Sequence, residues 1–66
     1  MRRAQDYDWD ALAKRVLIYR TLNGLSMEKF ADVAGVSKRS VFNAEHAIPT
    51  LSIYTITKIE NAMKGE

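Results

Sequence analysis

A short capping pattern occurs four times along this chain and constrains its fold more than any other feature. In each copy an apolar residue precedes an Asp or Ser, and a second apolar residue follows four positions later; the caps are Asp8, Ser26, Ser37 and Ser52. A side-chain oxygen at such a position caps a helix by accepting a hydrogen bond from a backbone N–H, and the flanking apolar pair forms a hydrophobic staple. The pattern therefore predicts four helix starts.

Helix ends can be predicted from glycine and proline. Glycine readily adopts positive φ and proline lacks a backbone N–H, so both terminate helices; the relevant stretches are Asn23-Gly24, Gly35, Ala47-Ile48-Pro49 and Gly65. We predict helices near residues 9–23, 27–34, 38–46 and 53–64. The last of these could alternate as a strand, but Ile53, Ile56 and Ile59 recur at helical spacing.

The chain has 66 residues, no cysteine and 47% apolar residues. A chain of this length buries only about 60% of its unfolded surface, so it has room for one core. We expect one domain over residues 7–66, preceded by a flexible basic tail over residues 1–6 that contains Arg2 and Arg3. Nothing indicates an oxidising compartment, and no apolar run has the length of a membrane span, so we expect a cytoplasmic protein without membrane contact.

The connection between the second and third predicted helices consists of Gly35, Val36 and Ser37. A turn of this length containing glycine, between two short helices, is typical of a helix-turn-helix. The third helix then begins with Lys38 and Arg39, although the positive end of a helix dipole favours anions. The two cations predict a negatively charged partner at this end of the helix.

One face of the third predicted helix carries hydrogen-bonding side chains. Arg39, Asn43 and His46 are spaced i, i+4, i+7 and point away from Val41 and Ala44. A helix of this kind can enter the major groove of DNA, where Arg or Lys donates to guanine and Asn pairs with adenine. The stripe by itself is equally compatible with an ordinary solvated helix face.

Residues 12–63 resemble, without a gap, the xenobiotic-response-element family of helix-turn-helix regulators, which share the lambda-repressor-like fold. The resemblance is carried by the stretches GLSMEKFADVAGVSKRSVFNAE and SIYTITKIENAM, and on the first helix and the turns by Leu12, Val16, Arg20, Gly24, Phe30, Ala31 and Gly35. It implies an all-α, compact four-helix domain that binds double-stranded DNA. The family often adds a fifth helix.

The resemblance also implies roles for individual residues. It places the third helix in the major groove, with base-reading positions at Lys38, Arg39 and Asn43. The positions that it turns toward DNA phosphates are Ser26, Met27, Ser37 and His46. It pairs Arg20 with Glu45 in a structural salt bridge between the first and third helices.

Several residues depart from the family pattern. Met27 replaces a Gln whose amide reaches phosphate, and a thioether cannot donate a hydrogen bond. Phe42 stands where the family has small or polar residues, and Ala44 where it has large ones, so Phe42 either folds back over Ala44 or contacts a thymine methyl or a partner. Ala47 replaces the usual glycine after the third helix, which removes an easy left-handed turn.

The composition does not favour an enzyme. His46 is the single histidine and cysteine is absent, so one chain cannot assemble a zinc site or a Cys-His pair. The acidic series Asp6, Asp8 and Asp10 lacks the glycine and the final Glu of a calcium loop. The glycines are isolated, which argues against a phosphate-binding loop. We expect no metal, cofactor or small-molecule ligand.

The sequence thus predicts a DNA-binding transcriptional regulator, in the form of a small repressor or autoregulatory switch of bacterial or phage type. Because one short helix reads few base pairs, we expect a homodimer on a palindromic operator, with Ile53, Tyr54 and Met63 as interface candidates. Arg2 and Arg3 are expected either to contact phosphates or the minor groove or to have no role.

A protein-interaction module on the same fold, such as an antiactivator or antitoxin-like subunit, is the alternative function. Met27 and Phe42 favour it, because they place apolar side chains where DNA contacts are expected. For a free-standing chain of 66 residues we expect no sensor domain. Regulation is therefore expected from concentration, from a protein partner or from competition for the site.

Overall fold

The computed structural model describes residues 7–65 and contains four helices within that range. Their bounds are α1 Trp9–Asn23, α2 Met27–Ala34, α3 Lys38–Glu45 and α4 Ile53–Met63. The predicted helices and their order are confirmed, with the ends of α3 and α4 one residue shorter than expected. A fifth helix is not formed by the part of the chain that the structure describes.

Each helix begins at the cap that the sequence predicts. The Asp8 carboxylate accepts from the N–H of Ala11 at 3.0 Å, and the Ser26 hydroxyl accepts from that of Lys29 at 3.0 Å. Ser37 and Ser52 accept in the same way from residues 40 and 55, at 3.1 and 3.2 Å. Each bond satisfies a backbone donor that has no partner within the helix, so these side chains fix where the helices start.

The core draws on all four helices. Its largest fully buried side chains are Leu12, Val16, Phe30, Val41 and Ile59. Four apolar residues directly precede the caps. Leu51 is buried in the core, and the other three, Tyr7, Leu25 and Val36, are partly buried and pack against it. The staples therefore connect the local capping pattern to the tertiary core.

The helix-turn-helix unit is formed by α2 and α3, which pack against each other. α1 packs on α3, and α4 packs on α2. The turn requires a left-handed residue at Gly35, where φ is +74°, and the Lys58 ammonium donates to the Gly35 carbonyl at 3.3 Å. The turn is thus held by its own backbone and by a side chain from α4.

Ala47 adopts a left-handed conformation after α3, with φ at +54°. This is the position where we expected the missing glycine to make a left-handed turn unfavourable. The N–H of Ile48 donates to the carbonyl of Asn43 at 2.9 Å, which closes the end of the helix in the manner of a glycine-terminated one. The chain therefore makes the left-handed turn without glycine and carries the strain of a Cβ at positive φ.

Candidate nucleic-acid interface

The outward face of α3 is set by what the helix buries. Val41 and Ala44 are fully buried in the core, which directs the opposite side of the helix to solvent. Lys38, Arg39 and His46 are exposed. Asn43 is half-buried. The structure therefore brings the three base-reading candidates and His46 onto one short helix and its C-cap.

The start of α3 is electrostatically unusual. α1 and α2 each carry an acid in the first turn, Asp10 and Glu28, which complements the helix dipole, whereas the first turns of α3 and α4 have none. Of these four helices, α3 is the one that begins with two consecutive cations. The ion pairs among residues 7–65 involve neither Lys38 nor Arg39. Two cations without a protein counter-ion thus lie at the positive end of a helix, which is a favourable place for an anion.

Asn43 has a neighbour that sequence reasoning missed. Its amide nitrogen donates to the Thr50 hydroxyl at 3.3 Å. Thr50 is exposed and comes after the proline that follows α3, so no helical spacing marked it as part of the site. The bond is long, and it brings Thr50 next to the Asn43 amide at the surface.

The phosphate candidates fall into two groups. The Ser26 and Ser37 hydroxyls are the N-caps of α2 and α3, and the Ser37 hydroxyl also lies 3.0 Å from that of Ser40. Met27 is half-buried and packs against the core. Its thioether is therefore a packing group, and at this position the backbone N–H in the first turn of α2 is the available donor.

Phe42 does not fold back over Ala44. Ala44 is fully buried, whereas Phe42 is 42% exposed and is not among the hydrophobic side chains that pack against the core. Its ring stacks on the His46 imidazole, with centroids 4.0 Å apart and planes at 21°. The His46 Nδ1 atom also lies 2.9 Å from the Phe42 carbonyl oxygen. The two side chains form one flat aromatic unit on the outside of α3, which we call the Phe42–His46 stack.

The angle between α1 and α3 is held by the ion pair that the resemblance implied. The Arg20 guanidinium donates two hydrogen bonds to the Glu45 carboxylate, and a third to the Leu25 carbonyl at 2.9 Å. These side chains are mostly buried, at 17% and 6% exposure. The hydrogen bonds to Glu45 raise the pKa of Arg20. Because the two side chains are mostly buried and join α1 to α3, the pair acts on the fold.

A second cluster, which no local spacing indicated, joins α1 to α4. The Tyr7 hydroxyl donates to Glu60, and the Arg15 guanidinium lies 2.9 Å from both the Glu60 carboxylate and the Tyr7 hydroxyl oxygen. Burial and the bond to Glu60 raise the pKa of Tyr7 to about 12. The Tyr7 hydroxyl in turn lowers the pKa of Glu60, with Arg15 adding to the effect.

The three predicted dimer residues do not form one patch. Ile53 and Tyr54 are about half exposed at the start of α4, and the Lys58 ammonium lies 4.6 Å from the centroid of the Tyr54 ring. Met63 is half-buried at the other end of α4, about 13 Å further along the helix axis.

Met63 instead lines a groove between α1 and α4, with a volume of about 480 Å³. Apolar side chains form most of its wall, together with the Arg15–Glu60 pair and Lys64; the apolar residues are Ile18, Tyr19, Leu22 and Met63. Ile18 and Leu22 are 57% and 80% exposed.

Other predictions concern the ends of the chain or the absence of chemistry. Arg2 and Arg3, with the rest of the tail over residues 1–6, lie outside the described residues. Among residues 7–65, His, Asp and Glu side chains do not gather in any group of three that could hold a metal ion. Within the same range, each helix is too short or too polar to cross a membrane.

Comparisons with known proteins agree with this geometry. A family model described as HTH_3, helix-turn-helix, matches residues 16–66. An HTH_3 family transcriptional regulator from Vibrio cholerae is similar in structure, with a TM-score of 0.72 and 27% sequence identity, over 85% of this chain and 32% of that chain. The restriction-modification controller protein C.AhdI from Aeromonas hydrophila is similar over 86% of both chains, with a TM-score of 0.71 and 28% identity.

The chain thus spans only part of the Vibrio cholerae regulator and most of the controller protein. None of the curated proteins matches significantly.

Proposed function

This chain belongs to the HTH_3 helix-turn-helix family, and we propose that it is a DNA-binding regulator that acts as a small repressor or autoregulatory switch. It would occupy an operator through α3 in the major groove and perform no catalysis. The narrower resemblance to the xenobiotic-response-element group stays a prediction. We place this activity in the cytoplasm of a bacterial cell, because a regulator of this kind works where the DNA is.

The observation that carries the proposal is the start of α3. Lys38 and Arg39 are exposed at the positive end of the helix, and the first turn contains no acid. In the free protein this arrangement is electrostatically unfavourable, because like charges meet. A polyanion that fits the helix would remove the penalty, and DNA supplies both the charge and a groove of the right width.

Within this arrangement the side chains are expected to contact different parts of the DNA. We assign Arg39 and Asn43 to base edges, since they lie on the outward side of α3, and Lys38 to a base or a phosphate. Phosphate contacts are assigned to the exposed Ser26 and Ser37 hydroxyls. His46 and the backbone N–H of Met27 complete that set.

We propose that the operator is palindromic and that two chains bind it, because one helix of this length reads too few base pairs for useful specificity. Ile53 and Tyr54 support a contact at the start of α4, since they are exposed apolar side chains on adjacent positions. Arg2 and Arg3 would add phosphate or minor-groove contacts; the alternative is that they contribute nothing.

An electrophoretic mobility shift with the DNA upstream of the gene tests the proposed function. Binding should weaken steeply with salt, because Lys and Arg displace counter-ions from phosphates. A variant with Lys38 and Arg39 exchanged for Gln, beside one with the exposed Lys14 and Lys64 exchanged for Gln, separates contact from net charge, because both variants lose two positive charges. Salt-independent binding, or none to the upstream fragment and to random duplex alike, would contradict the proposal.

A protein-interaction module remains the second candidate, and the α1–α4 groove is the observation that favours it. Leu22 and Ile18 line it with 80% and 57% of their surfaces exposed, so exposed apolar side chains are grouped at this groove. Met27 no longer supports this candidate, because it packs against the core. A protein seated in the groove would lie on the side of α1 away from Arg20 and α3, so it could regulate a DNA-bound chain.

A further inference from the structure

Phe42 is an apolar side chain on a face of α3 that otherwise consists of polar groups. It follows the fully buried Val41 by one residue and is itself 42% exposed. On an α-helix it lies about 60° from Arg39 and about 100° from Asn43, so it stands between these residues and the flank of α3. An exposed phenyl ring in this place needs an apolar partner to be useful.

The ring is held in place before any partner arrives. The His46 imidazole, one turn further along, stacks on one face of it at 4.0 Å. His46 is in turn fixed by the contact of its Nδ1 atom, at 2.9 Å, with the Phe42 carbonyl oxygen. A side chain immobilised in this way loses little rotamer freedom on binding. The face of the phenyl ring turned away from His46 is left for a partner.

We propose that the free face of Phe42 is a subsite for the C5-methyl group of a pyrimidine in the major groove. The inference rests on the proposed function, in which α3 enters that groove. Thymine presents its C5-methyl there, and apolar side chains recognise it by contact. Arg39 and Asn43 read only hydrogen-bonding groups, so they cannot distinguish thymine from uracil. The Phe42 side chain has no hydrogen-bonding group, so the methyl group is the part of the base edge that it can bind by apolar contact.

Thymine and 5-methylcytosine present the same methyl group. Either base would place this methyl group against Phe42, so the experiment must distinguish thymine from 5-methylcytosine. The size of the effect follows from burial of one methyl group, about 0.8 kcal/mol, which corresponds to a change of about fourfold in the dissociation constant.

The experiment begins by selecting a site from random duplex DNA with the full chain. In the selected duplex each thymine is then exchanged singly for deoxyuridine, and each cytosine singly for 5-methylcytosine, and dissociation constants are measured at fixed salt. We expect uracil to weaken binding about fourfold at one position of each half-site. If the source is 5-methylcytosine, methylation of one cytosine strengthens wild-type binding by a similar factor.

Variants assign the effect to Phe42. Phe42→Ala should bind the methylated and unmethylated duplexes equally at that position, and Phe42→Leu should keep part of the discrimination. Leu17→Ala is the matched control, because it removes another exposed apolar side chain, 50% exposed on α1, and should leave the discrimination unchanged.

Two results would overturn the inference, and they are distinguishable. If the chain binds its selected site but is indifferent to every methyl group, or if Phe42→Ala retains the wild-type discrimination, the subsite is absent while the proposed function stands. If no sequence can be selected, the proposed function fails, and this inference fails with it.

Discussion

Arg39 tests the assignment of α3 at the scale of one residue. It is exposed on the outward side of the helix, so its guanidinium can reach a guanine edge. We expect Arg39→Ala to weaken binding to the specific site by about 1–3 kcal/mol and to affect non-specific duplex less. Quantitative mobility shifts with both duplexes measure the difference.

Lys38→Ala is the control for charge alone. It should weaken binding to all sequences more evenly, because an ammonium at the helix flank contacts phosphate as readily as a base. Neither variant should unfold easily, since the loss of a cation from a helix N-terminus relieves a repulsion. A sharp fall in melting temperature for Arg39→Ala would assign the residue to the fold instead of to DNA.

Ala47 gives a prediction about stability at a single backbone position. Its φ of +54° is costly for a residue with a Cβ, and glycine removes that cost. We expect Ala47→Gly to raise the free energy of unfolding by about 0.5–1 kcal/mol. Ala13→Gly within α1 should lower it by a similar amount, because there glycine only adds backbone entropy to the unfolded chain. Urea denaturation compares the two, and a destabilised Ala47→Gly variant would contradict the argument.

At the scale of the helices, the Arg20–Glu45 pair fixes the position of α3 relative to α1. The Glu45 side chain is only 6% exposed, so removal of either partner leaves a charge with little solvent. We expect Glu45→Met and Arg20→Met each to lower the free energy of unfolding by about 3 kcal/mol, and the double variant to lose much less than the sum of these two changes.

The Arg15–Glu60 pair supplies the comparison, since Arg15 is 53% exposed. Arg15→Met should cost less than about 1 kcal/mol, because solvent already screens the charge. Equal losses at the two pairs in urea denaturation would mean that burial does not govern them.

The contact between α1 and α4 should give the protein a pH dependence at alkaline values. The pKa of Tyr7 is raised from 10.0 to about 12, first by burial and then by Glu60, so the folded state holds the phenolic proton more tightly than the unfolded chain. Its contribution to the free energy of unfolding is complete below pH 10.0 and is lost as the pH rises towards about 12.

Denaturant unfolding at a series of alkaline pH values measures this loss. Tyr7→Phe should remove part of the alkaline decline, whereas Tyr54→Phe, at an exposed position, should not. Glu60 affects stability at acid pH. Because its pKa is lowered in the folded protein, its contribution to the free energy of unfolding is present above the ordinary carboxyl pKa and is lost as the pH falls through the lowered pKa. Identical pH profiles for wild type and Tyr7→Phe would show that the cluster does not couple to folding.

At the scale of the whole molecule, the prediction concerns how many chains bind one operator. We expect two chains per full site, joined near the start of α4, where Ile53 and Tyr54 are 51% and 56% exposed. Ile53→Asp with Tyr54→Lys should abolish the dimer and weaken binding to the full site more than to a half-site. Sedimentation of the free and DNA-bound protein measures the stoichiometry.

Ile18→Lys with Leu22→Asp, in the α1–α4 groove, is the control with the same charge change at a different surface. If it abolishes the dimer and the α4 variant does not, the two copies meet at the groove. One chain per full operator would contradict the dimer altogether.

The local patterns of the sequence determined the four helices and their caps. Ser26, Ser37 and Ser52 mark helix starts because a cap bonds to a backbone N–H three residues away, and such short-range contacts are encoded in adjacent letters. Burial of Val41 and Ala44 followed from helical periodicity, and that burial also directed Arg39 outward.

Tertiary structure alone decided what lies beside each of these residues. The hydrogen bonds from Asn43 to Thr50 and from Tyr7 to Glu60 form only when the chain folds. In neither pair do the two residues lie on the same helix. The same holds for Phe42, whose place outside the core depended on whether the helices left a space above Ala44. Local hydrogen bonds can be predicted from spacing, but the volume between helices depends on all of their side chains at once, and only the packed structure determines it.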